Sequence, residues 1–304
     1  MPSTSHPILV TGATGRQGRA AVAALLERGF PVRALVRDAT GAPAHELAAA
    51  GARLAVGDLD DAGSIERALD GAHGLFLYQP LFMSADLTPG LGPDSELTRG
   101  RAVIGAAAAA NVEHVVYSSA LGADRPKVSP LLAPKQVLEA ELAATRLATT
   151  ILRPVGFMEN YAGPWRGLGA DGTIATPAPP HIRKQLVAIR DIGAFAALAF
   201  SEPDRYIGAA LELAGDEPTV PQIAAALSRA LDRSIRYSEI SIDQIRRTDA
   251  ARAAALDRIY GQQPDPIDIG ELRRRLPSLL TLGAWLESGG AGLVAAYLQS
   301  PIPS

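Results

Sequence analysis

Short, continuous apolar runs alternating with stretches of helical periodicity set the pattern of the first half of this chain. Ile8, Leu9 and Val10 suit a strand buried on both faces. Gly12, Gly15 and Gly18 follow at three-residue steps, and then Val22, Leu25 and Leu26 take up helical spacing, with Gly29 as a left-handed cap. Val32 to Val36 reads as a second strand, Glu46 to Ala50 as a short helix closed by Gly51, and Arg53 to Val56 as a third strand. Asp60 or Asp61 can cap a helix containing Ile65, Ala68 and Leu69. Leu75 to Tyr78 is a fourth strand, Glu96 to Ala110 an alanine-rich helix and His114 to Ser118 a fifth strand. A helix with Pro134 in its first turn carries Val137, Leu138 and Leu142, and Thr149 to Leu152 is a sixth strand stopped by Arg153-Pro154. Six strands joined by helical crossovers predict an α/β fold with a doubly wound parallel sheet.

The second half is less regular. Gly156 to Pro180 is rich in Gly and Pro and reads as a crossing into a smaller domain. Gln185 to Ile189 reads as a strand, followed by a helix capped by Asp191 and carrying Ile192, Phe195, Ala196 and Leu198. Leu211 to Leu213 is another short strand. Thr219 with Gln222, and Ser241 with Gln244, have capping-box spacing. Leu293 to Leu298 is expected to form a terminal helix that packs on the small domain or on a second subunit.

Composition narrows the class. Of 304 residues, 47 % are hydrophobic and 20 % charged, enough for a sizeable core. A formal net charge of −3 argues against a nucleic-acid partner. Arg273, Arg274 and Arg275 are read as a solvated helix face, given Glu271 nearby. There is no cysteine, which removes disulfides and thiolate chemistry. His6, His45, His73, His114 and His181 stand at no metal-ligand spacing, so no metal site is expected. No apolar run is long enough to span a membrane and Met1 to Val10 lacks the pattern of a signal peptide, so the expected location is cytoplasmic.

The strand, glycine turn and helix at Pro7 to Gly18 carry the candidate chemistry. Glycines let a backbone turn sharply and approach a pyrophosphate, and the helix N-terminus offers free N–H groups and positive dipole. The second strand ends in Arg37, nineteen residues after Gly18. In dinucleotide folds an Arg there accommodates the 2′-phosphate of NADP, whereas a carboxylate binds the 2′-hydroxyl of NAD. NADP(H) is therefore expected to be preferred over NAD(H), although Asp38 is the next residue. Asp58, ending the third strand, is placed either to accept from an adenine amine or to hold a turn. The long segment Gln79 to Pro93, with Phe82, Met83 and Leu87, is expected to hang over the nicotinamide end.

Thr11-Gly12-Ala13-Thr14-Gly15-Arg16-Gln17-Gly18, Val32 to Asp38, Gly57-Asp58-Leu59, Ile151-Leu152-Arg153-Pro154 and Phe157-Met158-Glu159-Asn160 together resemble the NmrA-like family of atypical short-chain dehydrogenase/reductases. The resemblance covers the chain to about residue 215. It implies a Rossmann-type domain over 1–155, with returning segments near 185–215 whose strands at about 187 and 211 rejoin its sheet. An interleaved, smaller α/β substrate or interaction domain would occupy most of 156–304. It implies a cofactor set of Gly12, Thr14, Gly15, Arg16, Gln17, Gly18, Arg37, Asp58, Leu59, Gln79, Ser118, Lys135, Pro154 and Phe157.

Ordinary members of the superfamily pair a strand-end Ser with Tyr-x-x-x-Lys on one helix, where the ammonium lowers the phenol pKa. Ser118 and Lys135 match the Ser and Lys, but Leu131 stands where the Tyr would be. Lys135 is expected to bind the nicotinamide ribose or move a proton; the alternative is a solvated helix lysine. Alcohols and simple ketones need a positioned acid or base, whereas a quinone accepts hydride at an electron-poor ring and takes protons from water. Tyr78, Phe82, Phe157, Tyr161 and Trp165 are candidates for the flat apolar pocket such a substrate needs. The leading expectation is an NADPH-dependent oxidoreductase acting on a quinone-like or other electron-poor apolar substrate. The alternative is a non-catalytic NADP(H)-sensing regulator with a protein partner. Sequence does not give the oligomeric state.

Overall fold

The computed structural model describes residues 6–79, 93–125, 132–163, 166–261 and 263–299. The chain begins β1 (Ile8–Val10), α1 (Arg16–Glu27), β2 (Val32–Val36), α2 (Ala42–Ala49), β3 (Arg53–Val56), α3 (Ala62–Leu69) and β4 (Gly74–Leu77). It continues α4 (Pro93–Ala109), β5 (His114–Ser118), α5 (Ala133–Ala144) and β6 (Thr149–Pro154). Then follow β7 (Gly156–Phe157), β8 (Thr173–Thr176), β9 (Leu186–Val187), α6 (Ile189–Ser201), α7 (Pro203–Tyr206) and β10 (Ala210–Leu213). The remainder is α8 (Val220–Leu231), β11 (Arg236–Glu239), α9 (Ile242–Thr248), α10 (Ala250–Tyr260), α11 (Ile269–Arg275), α12 (Leu282–Trp285) and α13 (Ala291–Gln299). No described helix is long and apolar enough to cross a membrane.

Two compact units divide the chain. The first takes residues 1–154 and 189–213, the second 155–188 and 214–304. In the first unit seven strands lie in the order β10-β6-β5-β4-β1-β2-β3, and every pairing is parallel. Parallel strands covered by helices on both faces bury nearly every side chain. Accordingly β1, β4 and β5 have no exposed residue. One core layer collects Leu9, Ile65, Leu75, Val103, Val115 and Leu138. Within this core His114 Nε2 donates to Thr150 Oγ1 at 2.8 Å, because that hydroxyl's own proton goes to the carbonyl of Tyr206 at 2.7 Å. Burial and nearby His73 push the His114 pKa down to about 4, so the ring is neutral.

The second unit pairs β8 with β11 in parallel and packs them against helices around Ile174, Ile223, Leu227, Trp285 and Val294. The capping box at Thr219 and Gln222 starts α8, and Ser241 caps α9.

Three expectations are corrected. Helix α2 starts at Ala42, four residues early, because Pro43 suits the first turn. The strand expected over 185–189 is only Leu186–Val187, and Ile189 opens α6, with Asp191 fully buried in its first turn. A short apolar run does not distinguish a strand from the start of a buried helix. Nor does β9 return to the large sheet: it pairs with β7, while β10 alone takes the free edge of β6, Leu211 opposite Leu152.

Candidate functional site

The strand order reverses between β1 and β4, and in open α/β sheets ligands bind outside the carboxyl ends of the strands at that point. Thr11 ties the two ends together. Its Oγ1 donates to the carbonyl of Tyr78 and accepts from its N–H, both at 2.9 Å. Gly12 has φ +58°, and a Cβ there would lie 2.8 Å from the Tyr78 ring. At Gly18 a Cβ would lie 2.1 Å from the Gly12 carbonyl oxygen and 2.7 Å from the Ala13 Cα. Both positions must be bare for the turn to close. Gly15 is the N-cap of α1, without a side-chain cap or an acidic residue in the first turn, so the first N–H groups and the dipole are left to an external anion. The cradle therefore fits a dinucleotide pyrophosphate. Thr14 and Arg16 are exposed around it, and the Thr14 carbonyl accepts from Arg19 Nε at 2.9 Å.

Beyond β2, Arg37 is exposed. The adjacent Asp38 is already engaged: its Oδ1 accepts from Thr40 N at 2.8 Å and Thr40 Oγ1 at 2.6 Å. Those bonds hold its pKa below the ordinary carboxylate value. Asp58 Oδ1 accepts from Asp60 N at 3.0 Å, in keeping with the turn-holding reading, and Leu59 packs partly buried against the core.

Lys135 is not a solvated lysine. Its Nζ lies 3.0 Å from Glu96 Oε1 of α4, with both side chains 2 % exposed, and 5.6 Å from the centre of the Tyr117 ring. The contact is a charge pair rather than a directed hydrogen bond, and neither Glu96 oxygen has a hydrogen-bond partner among the described residues. Burial raises the Glu96 pKa, and the Lys135 ammonium opposes that shift less strongly. One turn along α5, Glu139 accepts from Arg153 Nη2 of β6 at 2.6 Å, while Arg153 Nη1 donates to Asp124 at 2.7 Å. This network fastens the helix that carries Lys135 to the sheet. The neighbouring phenols are raised, not lowered. Burial and then Glu96 push Tyr78 up to about 12, against an opposing hydrogen bond with Gln17, and push Tyr117 well above its usual range.

The NmrA-like family model matches residues 4–263. This chain belongs to that family. The NmrA-like chain is 31 % identical over 267 residues to the NAD(P)H azoreductase of Xenophilus azovorans, covering 84 % of this chain and 87 % of that one. It is 31 % identical over 248 residues to quinone oxidoreductase 2 of Escherichia coli strain K12, covering 77 % and 78 %. Among solved structures, NmrA, a negative transcriptional regulator crystallised with NADP, superposes with a TM-score of 0.76 at 23 % identity, covering 96 % and 97 %. That likeness is one of fold.

In this NmrA-like chain some of the residues named from sequence come together in the first unit. Ser118 at the end of β5 donates to Gln17 Oε1 of α1 at 2.7 Å in a buried contact, joining a strand end to the glycine cradle. Gln79 is turned elsewhere. It is 2 % exposed, and with its amide oriented to satisfy both ends it donates to the Glu96 carbonyl at 2.8 Å and accepts from Gly100 N at 2.7 Å. Pro154 ends β6, and its carbonyl accepts from Leu121 N at 3.0 Å. Phe157 and Tyr161 belong to the second unit. Phe82, Leu131 and Trp165 lie outside the described residues. No group of three or more His, Asp or Glu side chains that could hold a metal exists among the described residues. Sequence reading missed Glu96 and Tyr117. A glutamate in the first turn of a helix reads as a favourable dipole partner, and only the folded α4–α5 contact reveals it as the counter-charge of Lys135.

Proposed function

We propose that this chain is an NAD(P)H-dependent oxidoreductase, with NADPH the preferred donor and a quinone-like or other electron-poor apolar compound the acceptor. The dinucleotide, when bound, supplies a hydride. Gly12, Gly15 and Gly18 would hold its pyrophosphate, Arg37 a 2′-phosphate, and Ser118 and Lys135 the nicotinamide ribose. The observation that carries the choice of acceptor is the electrostatics of the Lys135 corner. Tyr78 and Tyr117 are held as poor acids, so neither supplies the activated phenol that reduction of a simple carbonyl requires. An acceptor whose product is protonated by water has no such need. The azoreductase and quinone oxidoreductase relatives support the same class of acceptor.

The alternative, an NADP(H) sensor acting through a protein partner, is favoured by Leu131, which removes the usual proton donor. NADPH oxidation by the purified protein across quinones, azo dyes and aldehydes separates the two. Turnover with quinones or dyes but not aldehydes is the expected result; tight NADPH binding with no turnover on any of them would instead favour the sensor.

Arg37→Ala should abolish the cofactor preference. A charge-assisted hydrogen bond to a 2′-phosphate contributes about 1.5–3 kcal/mol, which is about ten- to a hundredfold in affinity. Asp38 competes less for a 2′-hydroxyl than its position alone suggests, since Thr40 already occupies its Oδ1. Fluorescence titration should show NADPH affinity falling by that factor with NADH little affected. Equal affinities in the wild type would refute the assignment.

A further inference from the structure

We propose that the second unit carries an oxyanion subsite in which Arg166 and Lys184 hold the carboxylate, sulfonate or phosphate of a small organic acid. The subsite goes beyond the redox reading and does not depend on it. Arg166, in the connection between β7 and β8, lies with its guanidinium carbon 5.9 Å from the centre of the Tyr161 ring. The guanidinium rests against the bare Cα of Gly156 in β7. A Cβ at that position would come within 1.7 Å of Nη2 and 3.0 Å of Cζ, so the glycine leaves room for it. Its Nε is buried and has no hydrogen-bond partner among the described residues. Lys184, two residues before β9, holds its ammonium 4.2 Å from the centre of the Tyr260 ring at the end of α10. Both cations are half-buried, and no ion pair with a carboxylate engages either among the described residues.

The electrostatics agree with the geometry. Burial, and after it the charge of Arg166, push the Lys184 pKa down to about 8. The same guanidinium also acts on the phenols of Tyr161 and Tyr260, so the four groups share one field. Two half-buried like charges, neither in an ion pair among the described residues, repel and lose hydration, which proteins ordinarily relieve by pairing. Aromatic faces offset part of that cost, but they leave the Arg166 Nε–H unserved. A planar donor fork together with a mobile ammonium is the combination that recognises an oxyanion.

The test is calorimetric titration of benzoate, phenyl phosphate and neutral benzamide into the full-length protein saturated with NADP+, so that the glycine cradle is not the site measured. At least one of the two anions should bind, with benzamide at least about tenfold weaker. Arg166→Gln and Lys184→Gln should each weaken that anion by about tenfold or more, and Lys184→Arg should restore much of it. Benzoate against phenyl phosphate tells which oxyanion is preferred. Wild-type affinity should also fall above pH 8 as Lys184 loses its proton, and this fall should vanish in Lys184→Gln. The groups facing Lys184 do not compete in that range, since a guanidinium does not deprotonate in proteins and the Tyr161 and Tyr260 phenols are raised above their usual value. Unchanged NADP+ affinity in the variants controls for folding. Absence of anion binding in the wild type, equal binding of benzamide, or anion affinity indifferent to both glutamine variants would overturn the proposal. Failure of NADP+ to bind would count against the dinucleotide reading instead, and the same titrations without it still decide the subsite.

Discussion

Lys135→Met should cost about 3–5 kcal/mol of stability at neutral pH, and much less in acid. The substitution leaves the Glu96 carboxylate buried with no counter-charge, since both side chains are 2 % exposed and Lys135 is the ion-pair partner of Glu96 among the described residues. Glu96 already has a raised pKa through burial, and loss of the ammonium raises it further. The sign follows from the protons bound. Between the unfolded value, near 4.5, and the higher folded value, the folded protein keeps a proton that the unfolded chain has released. Stability therefore falls as pH rises through that window, at up to about 1.4 kcal/mol per pH unit, and is flat below it. Urea unfolding of Lys135→Met from pH 4 to 8 should show this slope. The double variant Glu96→Gln/Lys135→Met should lose the slope and regain most of the stability, because a neutral pair needs no compensation. A single variant as stable as wild type at pH 7 would show that the carboxylate is not confined as described. The double variant is also the fair background for chemistry. If the ammonium positions the ribose or moves a proton, turnover or NADPH affinity should drop at least tenfold there, with the fold retained.

Gly18→Ala should reduce NADPH affinity by at least about a hundredfold. The new Cβ would meet main-chain atoms, the Gly12 carbonyl oxygen and the Ala13 Cα, which cannot swing aside as a side chain would. Either the turn opens or α1 shifts, and in both cases the N–H groups at its start leave the positions that fit a pyrophosphate. Two charge-assisted hydrogen bonds lost at about 1.5–3 kcal/mol each exceed a hundredfold in binding. Overpacking should also lower stability by about 1–3 kcal/mol. Isothermal titration with NADPH, paired with thermal unfolding, measures both effects. Wild-type affinity in a folded Gly18→Ala protein would remove the cradle from the site.

Much of the first unit is legible because its signals are local. The apolar runs at Ile8–Val10, Val32–Val36 and His114–Ser118 coincide with observed strands, and the glycine spacing marks the turn after β1. What is not legible depends on contacts distant in sequence. Glu96 meets Lys135 only because α4 and α5 pack together, and Gln79 serves the backbone of α4 only once that helix is in place. The run Leu186 to Ile189 straddles a strand and a helix start that share the same apolar composition. The helices α9, α10 and α11 carry few buried residues, so the apolar periodicity that exposes a helix to sequence reading is nearly absent from them.

The return of the chain to the first unit has a consequence for its birth on the ribosome. The edge strand β10 and helix α6 are made only after residues 155–188 of the other unit have been synthesised. Until residue 213 emerges, β6 presents an unpaired edge of backbone N–H and C=O groups, the kind of template on which nascent chains associate. Synthesis stalled between residues 155 and 210 should therefore yield a species that binds chaperones and resists release. Once β10 has docked, that edge is closed and the dependence should end.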